Sequence, residues 1–287
     1  MDLENIYMPI MDDLKMVETE IKNQIRFLTD DHKFVNEIVG YFFDAPGQRL
    51  RPALVILSAK AAMGDERKQR NFDDIIRLAT IVEYIHSASL IHDDLVDGAT
   101  SRREKPSINI VFGNKISVLV GDMLYAHAFK LLTERFDKNV MTIFSRCVQR
   151  MCRGEINELR GCDFEKYLGI IEDKTAVFMS ACCNAGATLT VGRENTDAVQ
   201  SLSDFGLNFG MAYQIMDDLK DGDTIVANLY RMELLEKLKE FVDGAEKSLY
   251  GLRESIYKES LTNLLKYIIE YGGSEKWGEI IPAKIIV

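Results

Sequence analysis

The stretch Leu78-Ala79-Thr80-Ile81-Val82-Glu83-Tyr84-Ile85-His86-Ser87-Ala88-Ser89-Leu90-Ile91-His92-Asp93-Asp94-Leu95-Val96-Asp97 decides how this chain is read. Its apolar residues recur at three- and four-residue steps and cover most faces of a helix. That is the pattern of a helix buried centrally in a bundle. The stretch closes on an acidic pentad, and a second pentad of the same spacing stands at Asp217-Asp218-Leu219-Lys220-Asp221, again within apolar sequence. On an α-helix, positions i and i+4 share a face and i+1 is turned about 100° away. Asp93 therefore points with Asp97, and Asp217 with Asp221. Clustered carboxylates repel one another unless cations neutralise them. Two such clusters on apolar helices point to hard divalent ions, Mg²⁺ above all, gripping a polyanionic substrate.

The surrounding sequence extends the helical reading. Residues 116–132, 140–156, 175–191 and 202–219 repeat the apolar three- and four-residue spacing. The first thirty residues and the segment 232–271 carry more charge and read as outer helices. No proline lies between Pro106 and Pro282, which long helices tolerate and loop-rich β folds rarely show. Strand-like alternation is nearly absent, and there is no internal repeat, low-complexity tract or linker. At 287 residues and 47% hydrophobic the chain can bury a large core, as one large domain or two ordinary ones. One all-α domain over residues 1–287 is the simplest reading, with 272–287 a tail matching nothing recognisable.

Charge and cysteines narrow the function. A net charge of -10 without a basic stripe argues against nucleic acid as a partner. It leaves a diphosphate substrate open, because metals and a few arginines or lysines invert the field of a site. Met1-Asp2-Leu3-Glu4 does not begin a signal peptide, and no apolar run approaches the roughly 18 residues of a membrane span. The five cysteines, Cys147, Cys152, Cys162, Cys182 and Cys183, lack metal-finger spacing. They read as reduced core thiols of a cytoplasmic protein.

Cations accompany the pentads. A helix ending near Asp97-Gly98 would place the first pentad at the negative end of its dipole, where cations are favoured. Arg102 and Arg103 follow at once and could fork onto diphosphate oxygens. Gly47-Gln48-Arg49-Leu50-Arg51-Pro52 sets two more arginines in a turn, and Lys174-Thr175 opens another apolar helix. Each element has a plainer reading. A single acidic pentad is usually a solvated helix face, adjacent arginines are usually surface residues, and His86 and His92 could be hydrogen-bonded core histidines. The duplication of the pentad tips the balance.

The order and spacing of these elements resemble the trans-isoprenyl diphosphate synthases, also called polyprenyl synthetases. The resemblance runs over residues 47–221. It is carried by the arginine turn, by His86 through Asp97, by Arg102-Arg103, Phe112-Gly113, Gly121-Asp122, Gly154-Glu155 and Lys174-Thr175, and by Tyr213-Gln214-Ile215-Met216-Asp217-Asp218. It implies an antiparallel helical bundle of isoprenoid synthase type around a deep central cavity, usually a homodimer. It implies that Asp93, Asp97, Asp217 and Asp221 hold Mg²⁺, three ions with substrate bound, supported by Asp94 and Asp218. Arg102, Lys174, Thr175 and Gln214 would contact the allylic diphosphate. Gly47, Gln48, Arg51, His86 and Arg103 would bind isopentenyl diphosphate. The opposed aspartate sets would then meet across one cavity.

Product length follows from helix geometry within that resemblance. Residues four and five positions before Asp93 lie about one turn, roughly 5.4 Å, deeper. They are Ser89 and Ala88, small side chains where short-chain members carry a bulky floor. A long product, hexaprenyl to octaprenyl or beyond, is the expectation, with Tyr125, Phe129 and Met141 as candidate floors. Alternatively, the two small residues only let helices pack closely. Other departures stand out. Gln48 replaces the family's usual lysine, which weakens isopentenyl diphosphate binding unless Arg49 compensates. Glu104 replaces a common glycine, and Asn109 a frequent histidine. After Asp221 the family's Gly- and Lys-bearing lid loop is missing, either because the protein has no lid or because a mobile loop is left out of the chain as given; the second is the expectation. The alternatives are a geranylgeranyl or farnesyl diphosphate synthase and a non-catalytic partner subunit of a heteromeric synthase. A di-iron bundle would need two Glu-x-x-His pairs, and only Glu83-Tyr84-Ile85-His86 has that spacing. A terpene cyclase would not need the arginine turn and His86. A lipid product makes transient membrane contact reasonable, although no anchor is visible.

Overall fold

The computed structural model describes residues 2–29, 32–44, 47–63, 72–161, 163–191, 196–222 and 225–271. The chain runs through α1 (Leu3–Tyr7), α2 (Met11–Thr29), α3 (Lys33–Phe43), α4 (Leu50–Met63) and α5 (Phe72–Val96). A short hairpin follows, β1 (Ser101–Arg102) and β2 (Lys105–Pro106), and then α6 (Ile108–Val111), α7 (Asn114–Arg135), α8 (Lys138–Glu158) and α9 (Phe164–Ile171). One turn of π-helix, Glu172–Ala176, leads into α10 (Val177–Val191) and α11 (Thr196–Asp221). The chain continues with α12 (Ile225–Leu229), α13 (Arg231–Ser248) and α14 (Ile256–Tyr271). The all-α expectation holds.

The chain divides into two compact units. The smaller comprises Asp12–Ala53 and Phe72–Met141, and the larger Met1–Met11, Leu54–Asn71 and Thr142–Val287. In the smaller unit α5 is the core helix, with Leu78, Ile81, Val82, Tyr84 and Ile85 wholly buried. It packs along α7. The Tyr84 hydroxyl donates to the Ile21 carbonyl at 2.8 Å, satisfying its one polar atom. In the larger unit α11 lies between α10 and α13. Phe205 and Phe209, one turn apart on α11, stack at 5.7 Å, and Phe178 of α10 meets Phe144 of α8 edge-on at 6.4 Å. Buried helices apolar on most faces lie centrally, as their sequence periodicity demands.

Two expectations need adjustment. Among the described residues, α7 is long and apolar enough to cross a membrane by length and composition. One of its faces packs on α5 and it carries Lys115, Asp122 and Lys130, so a core helix passes the same test. Of the cysteines, Cys147, Cys182 and Cys183 are buried, and burial pushes the Cys183 thiol up to about 12; Cys152 is exposed and is no core thiol. Cys162 and the tail 272–287 lie outside the described residues. Between α11 and α12 the sequence carries only Gly222, Asp223 and Thr224, the last two outside the described residues.

Candidate active site

In the smaller unit, α5 ends at Val96 and Gly98 adopts φ +65°, the left-handed conformation that closes a helix. The Ala99 N–H donates to the Asp94 carbonyl at 2.8 Å, and Gly98 to Leu95 at 3.3 Å. The pentad thus occupies the last helical turn, where orphan carbonyls favour cations. Asp93 is half-buried and Asp97 exposed, whereas Asp94 is buried. Arg102 turns back onto Asp94, its Nε 2.7 and 2.8 Å from the two carboxylate oxygens and its Nη2 2.6 Å from Oδ1. In this state Asp94 and Arg102 are each other's partners.

The hairpin explains that turn. Ser101 pairs with Pro106 and Arg102 with Lys105, so Arg103 and Glu104 are the two loop residues, at φ +51° and +63°. Two-residue hairpins require this conformation, which glycine or asparagine adopts more readily. The hairpin sends Arg103 to the arginine turn, where a Cβ on Gly47 would lie 2.3 Å from the Arg103 Nη2. Arg51 Nη1 lies 3.0 Å from His86 Nε2. Burial first, then the charges of Arg51 and Arg103, hold His86 well below its ordinary value, so it stays neutral and accepts from Arg51. Gly47, Arg51, His86 and Arg103 are thereby brought together. Gln48 is exposed, and Arg49 does not replace the missing lysine. Its guanidinium is buried against Glu83, Nη1 to Oε1 at 2.5 Å, and against Glu18. A recess beside this set is lined by Tyr41, Phe42, Asp94, Arg102, Arg103 and Lys105.

Other predicted positions in this unit make contacts of their own. His92 lies over Gly121 of α7, where a Cβ would be 2.2 Å from its Nε2, and 3.2 Å from the Val118 carbonyl. Ala88 is wholly buried, and Ser89 donates to the His86 carbonyl at 2.9 Å. Asn109 donates to the Ala99 carbonyl at 3.1 Å, bracing the chain just after the pentad.

In the larger unit the second pentad repeats the arrangement. It forms the last turn of α11, closed by Gly222 at φ +66° with its N–H 3.0 Å from the Asp218 carbonyl. Burial, then the charges of Asp221 and Asp218, push the Asp217 carboxyl up to about 6. Asp218 accepts from the Tyr167 hydroxyl at 2.5 Å and from Gln214 Nε2 at 2.9 Å, and Thr175 donates to Gln214 Oε1 at 2.8 Å. Asp218, Gln214 and Thr175 are joined. Lys174, their neighbour in sequence, turns the other way, to Glu155 at 2.7 Å and to Glu158. Burial alone would depress its ammonium; the hydrogen bonds it donates to the two glutamates outweigh that and hold it above its ordinary value. Asp173 is gripped by Arg150 and Arg153, each through Nε at 2.7 Å.

Sequence reasoning missed Tyr167, Glu158, Arg150, Arg153 and Asp173. A signal existed for the charged ones: Arg150 and Arg153 share a helix face, and Glu172-Asp173 immediately precede Lys174. Tyr167 carried none. Among the described residues, no three His, Cys, Asp or Glu side chains converge on one metal position. The donor chemistry nonetheless fits Mg²⁺, which takes oxygen ligands and is commonly held by one or two carboxylates together with substrate phosphates and water. The raised Asp217 carboxyl marks negative charge that a bound cation would relieve.

Comparison with known proteins follows the same residues. The polyprenyl synthetase family profile matches residues 32–225. Over 226 residues the chain is 32% identical to octaprenyl diphosphate synthase of Escherichia coli (strain K12) and 30% identical to heptaprenyl diphosphate synthase component 2 of Geobacillus stearothermophilus. In each case the match covers 77% of this chain and 67% of the relative, so the chain spans about two thirds of their length. The crystal structure of polyprenyl synthase from Caulobacter crescentus CB15, complexed with calcium and isoprenyl diphosphate, superposes with a TM-score of 0.78 at 25% identity. That match covers 93% of this chain and 97% of the other. Duplicated aspartate pentads, an arginine turn joined to a half-buried histidine, and this sequence likeness agree: the chain belongs to the polyprenyl synthetase family.

Proposed function

We propose that this protein is a Mg²⁺-dependent prenyltransferase that condenses isopentenyl diphosphate with an allylic diphosphate to a long all-trans polyprenyl diphosphate. The observation that carries the reading is the pair of aspartate pentads, each in the last turn of a buried helix closed by a left-handed glycine. We assign Asp93, Asp97, Asp217 and Asp221 to metal binding. Bound there, Mg²⁺ would neutralise the charge that develops on a diphosphate leaving group. Gln214 and Thr175 supply polar contacts to the allylic diphosphate. Arg102 and Lys174 do so after exchanging Asp94 and the two glutamates for phosphate oxygens. Arg51, Arg103 and neutral His86 bind the second diphosphate. Ionisation of the allylic C–O bond leaves a carbocation, the isopentenyl double bond attacks it, and a proton passes to the released diphosphate. Apolar surroundings keep water from the cation.

Small Ala88 and Ser89 support a long product. The two units would act together as one polyprenyl synthetase domain, as a homodimer in the cytoplasm, meeting membranes transiently to release product. A second reading is a subunit of a two-component synthase, which the name of the Geobacillus stearothermophilus relative and the exposed Gln48 favour. One experiment separates them: the purified chain is incubated with labelled isopentenyl diphosphate, farnesyl diphosphate and Mg²⁺, and the dephosphorylated products are sized. The proposal expects Mg²⁺-dependent incorporation into chains of six or more isoprene units, a length set by the helix-depth argument. No incorporation by the chain alone would remove it in favour of the subunit.

A further inference from the structure

We propose that Arg49 is a positioning residue for the isopentenyl diphosphate subsite, holding the turn that presents Arg51 to His86. The inference rests on the prenyltransferase reading above. Arg49 is the only arginine of the turn with a positive φ, +52°, a conformation that costs a non-glycine residue on the order of 1–2 kcal/mol unless its surroundings enforce it. Its surroundings do. The guanidinium is 9% exposed and forks between two elements, Glu83 of α5 at 2.5 Å and Glu18 of α2, with its Nη2 3.3 Å from the second Glu18 oxygen. With both carboxylates engaged and the side chain buried, Arg49 is not placed to meet a diphosphate. It acts on its neighbours instead.

The geometry shows how. Glu83 and His86 are three residues apart on α5, hence on one face. Arg49 and Arg51 are two residues apart at the entry to α4. Arg49–Glu83 and Arg51–His86 are therefore two ties between the same turn and the same helix face, one buried and permanent, the other at the diphosphate subsite. Gly47, on the far side of the turn, lies beneath the Arg103 guanidinium. If the first tie is cut, Arg51 and Gly47 lose their registration against His86 and Arg103. A buried ion pair is a weak net stabiliser compared with apolar side chains of similar volume, but it fixes geometry through directional bonds. Lysine cannot reproduce a fork to two carboxylates.

The test compares wild type, Arg49→Lys, and the double variant Arg49→Met/Glu83→Met, which removes the buried pair together and leaves only the part-exposed Glu18 carboxylate without its arginine. Steady-state KM values for isopentenyl diphosphate and for farnesyl diphosphate are measured with kcat and the thermal midpoint. In both variants KM for isopentenyl diphosphate rises about tenfold or more, while KM for farnesyl diphosphate and kcat at saturation stay within about twofold; such a split reports lost binding of one substrate alone. In the double variant it appears with a thermal midpoint near wild type. Equal rises in both KM values, or an unchanged KM for isopentenyl diphosphate, overturn the inference. A wild-type chain without turnover overturns the prenyltransferase reading instead.

Discussion

At the scale of single residues, Asp217 shows what the site costs the fold. Its carboxyl, half-buried beside Asp221 and Asp218, is pushed up to about 6 from an ordinary value of 3.8. A raised carboxyl means that the folded state prefers it protonated. Its favourable contribution is full below pH 4 and is lost as pH rises through 6. A shift near two units corresponds to about 3 kcal/mol, and partial exposure reduces this to about 1–2 kcal/mol. Asp217→Asn removes the charge while keeping the shape. In EDTA at pH 7.5 its melting temperature should rise by a few degrees, about 2–5 °C for a chain of this size. At pH 4, where wild-type Asp217 is already protonated, the gain should vanish. Calorimetry at the two pH values checks this; a loss of stability, or an equal gain at both, counts against charge as the cause. The same variant should lose turnover, the usual trade between a site's strain and the stability of its fold.

At the scale of elements, each pentad depends on how its helix stops. Gly98 and Gly222 share φ near +65°, and an added Cβ would meet nothing within 4 Å at either position. Alanine there costs only the left-handed conformation, about 1 kcal/mol each. Gly98→Ala and Gly222→Ala should lower the melting temperature by similar small amounts and weaken Mg²⁺ binding, read by calorimetric titration, because the last turn unwinds. An unchanged melting temperature would show that the cap carries no strain. The α5 stop was legible in sequence, since Asp97-Gly98 ends an unbroken apolar period, and so were α7, α10 and α11. What sequence did not disclose is which cation each carboxylate chooses. Arg49 meets Glu18 and Glu83, 31 and 34 residues away, and Lys174 meets Glu158 across a π turn. Such pairings depend on helix packing rather than local spacing. Adjacent residues of one motif, Arg102 with Arg103 and Lys174 with Thr175, end on different partners because one hairpin and one π turn rotate them apart.

At the scale of the whole molecule, the proposed chemistry draws on one pentad from each unit. Ligand that binds only the folded protein stabilises it by RT ln(1 + [L]/Kd), about 2.7 kcal/mol at a hundredfold excess over Kd. For a chain of this size that is about 5–10 °C. With Mg²⁺ and farnesyl thiolodiphosphate, which resists ionisation, the melting transition should move upward as one. Either component alone should move it less, since cation and anion complete each other's coordination. Hydrogen exchange supplies the local readout. Amides of the last turns of α5 and α11 should both gain protection, because the proposed chemistry assigns Mg²⁺ to both pentads. Asp93→Asn should then remove the gain at residues 93–97. Protection confined to one pentad, or a transition that splits so that one unit melts unshifted, would mean that only one acidic cluster binds the ligand, and the mechanism that assigns both to it would fall.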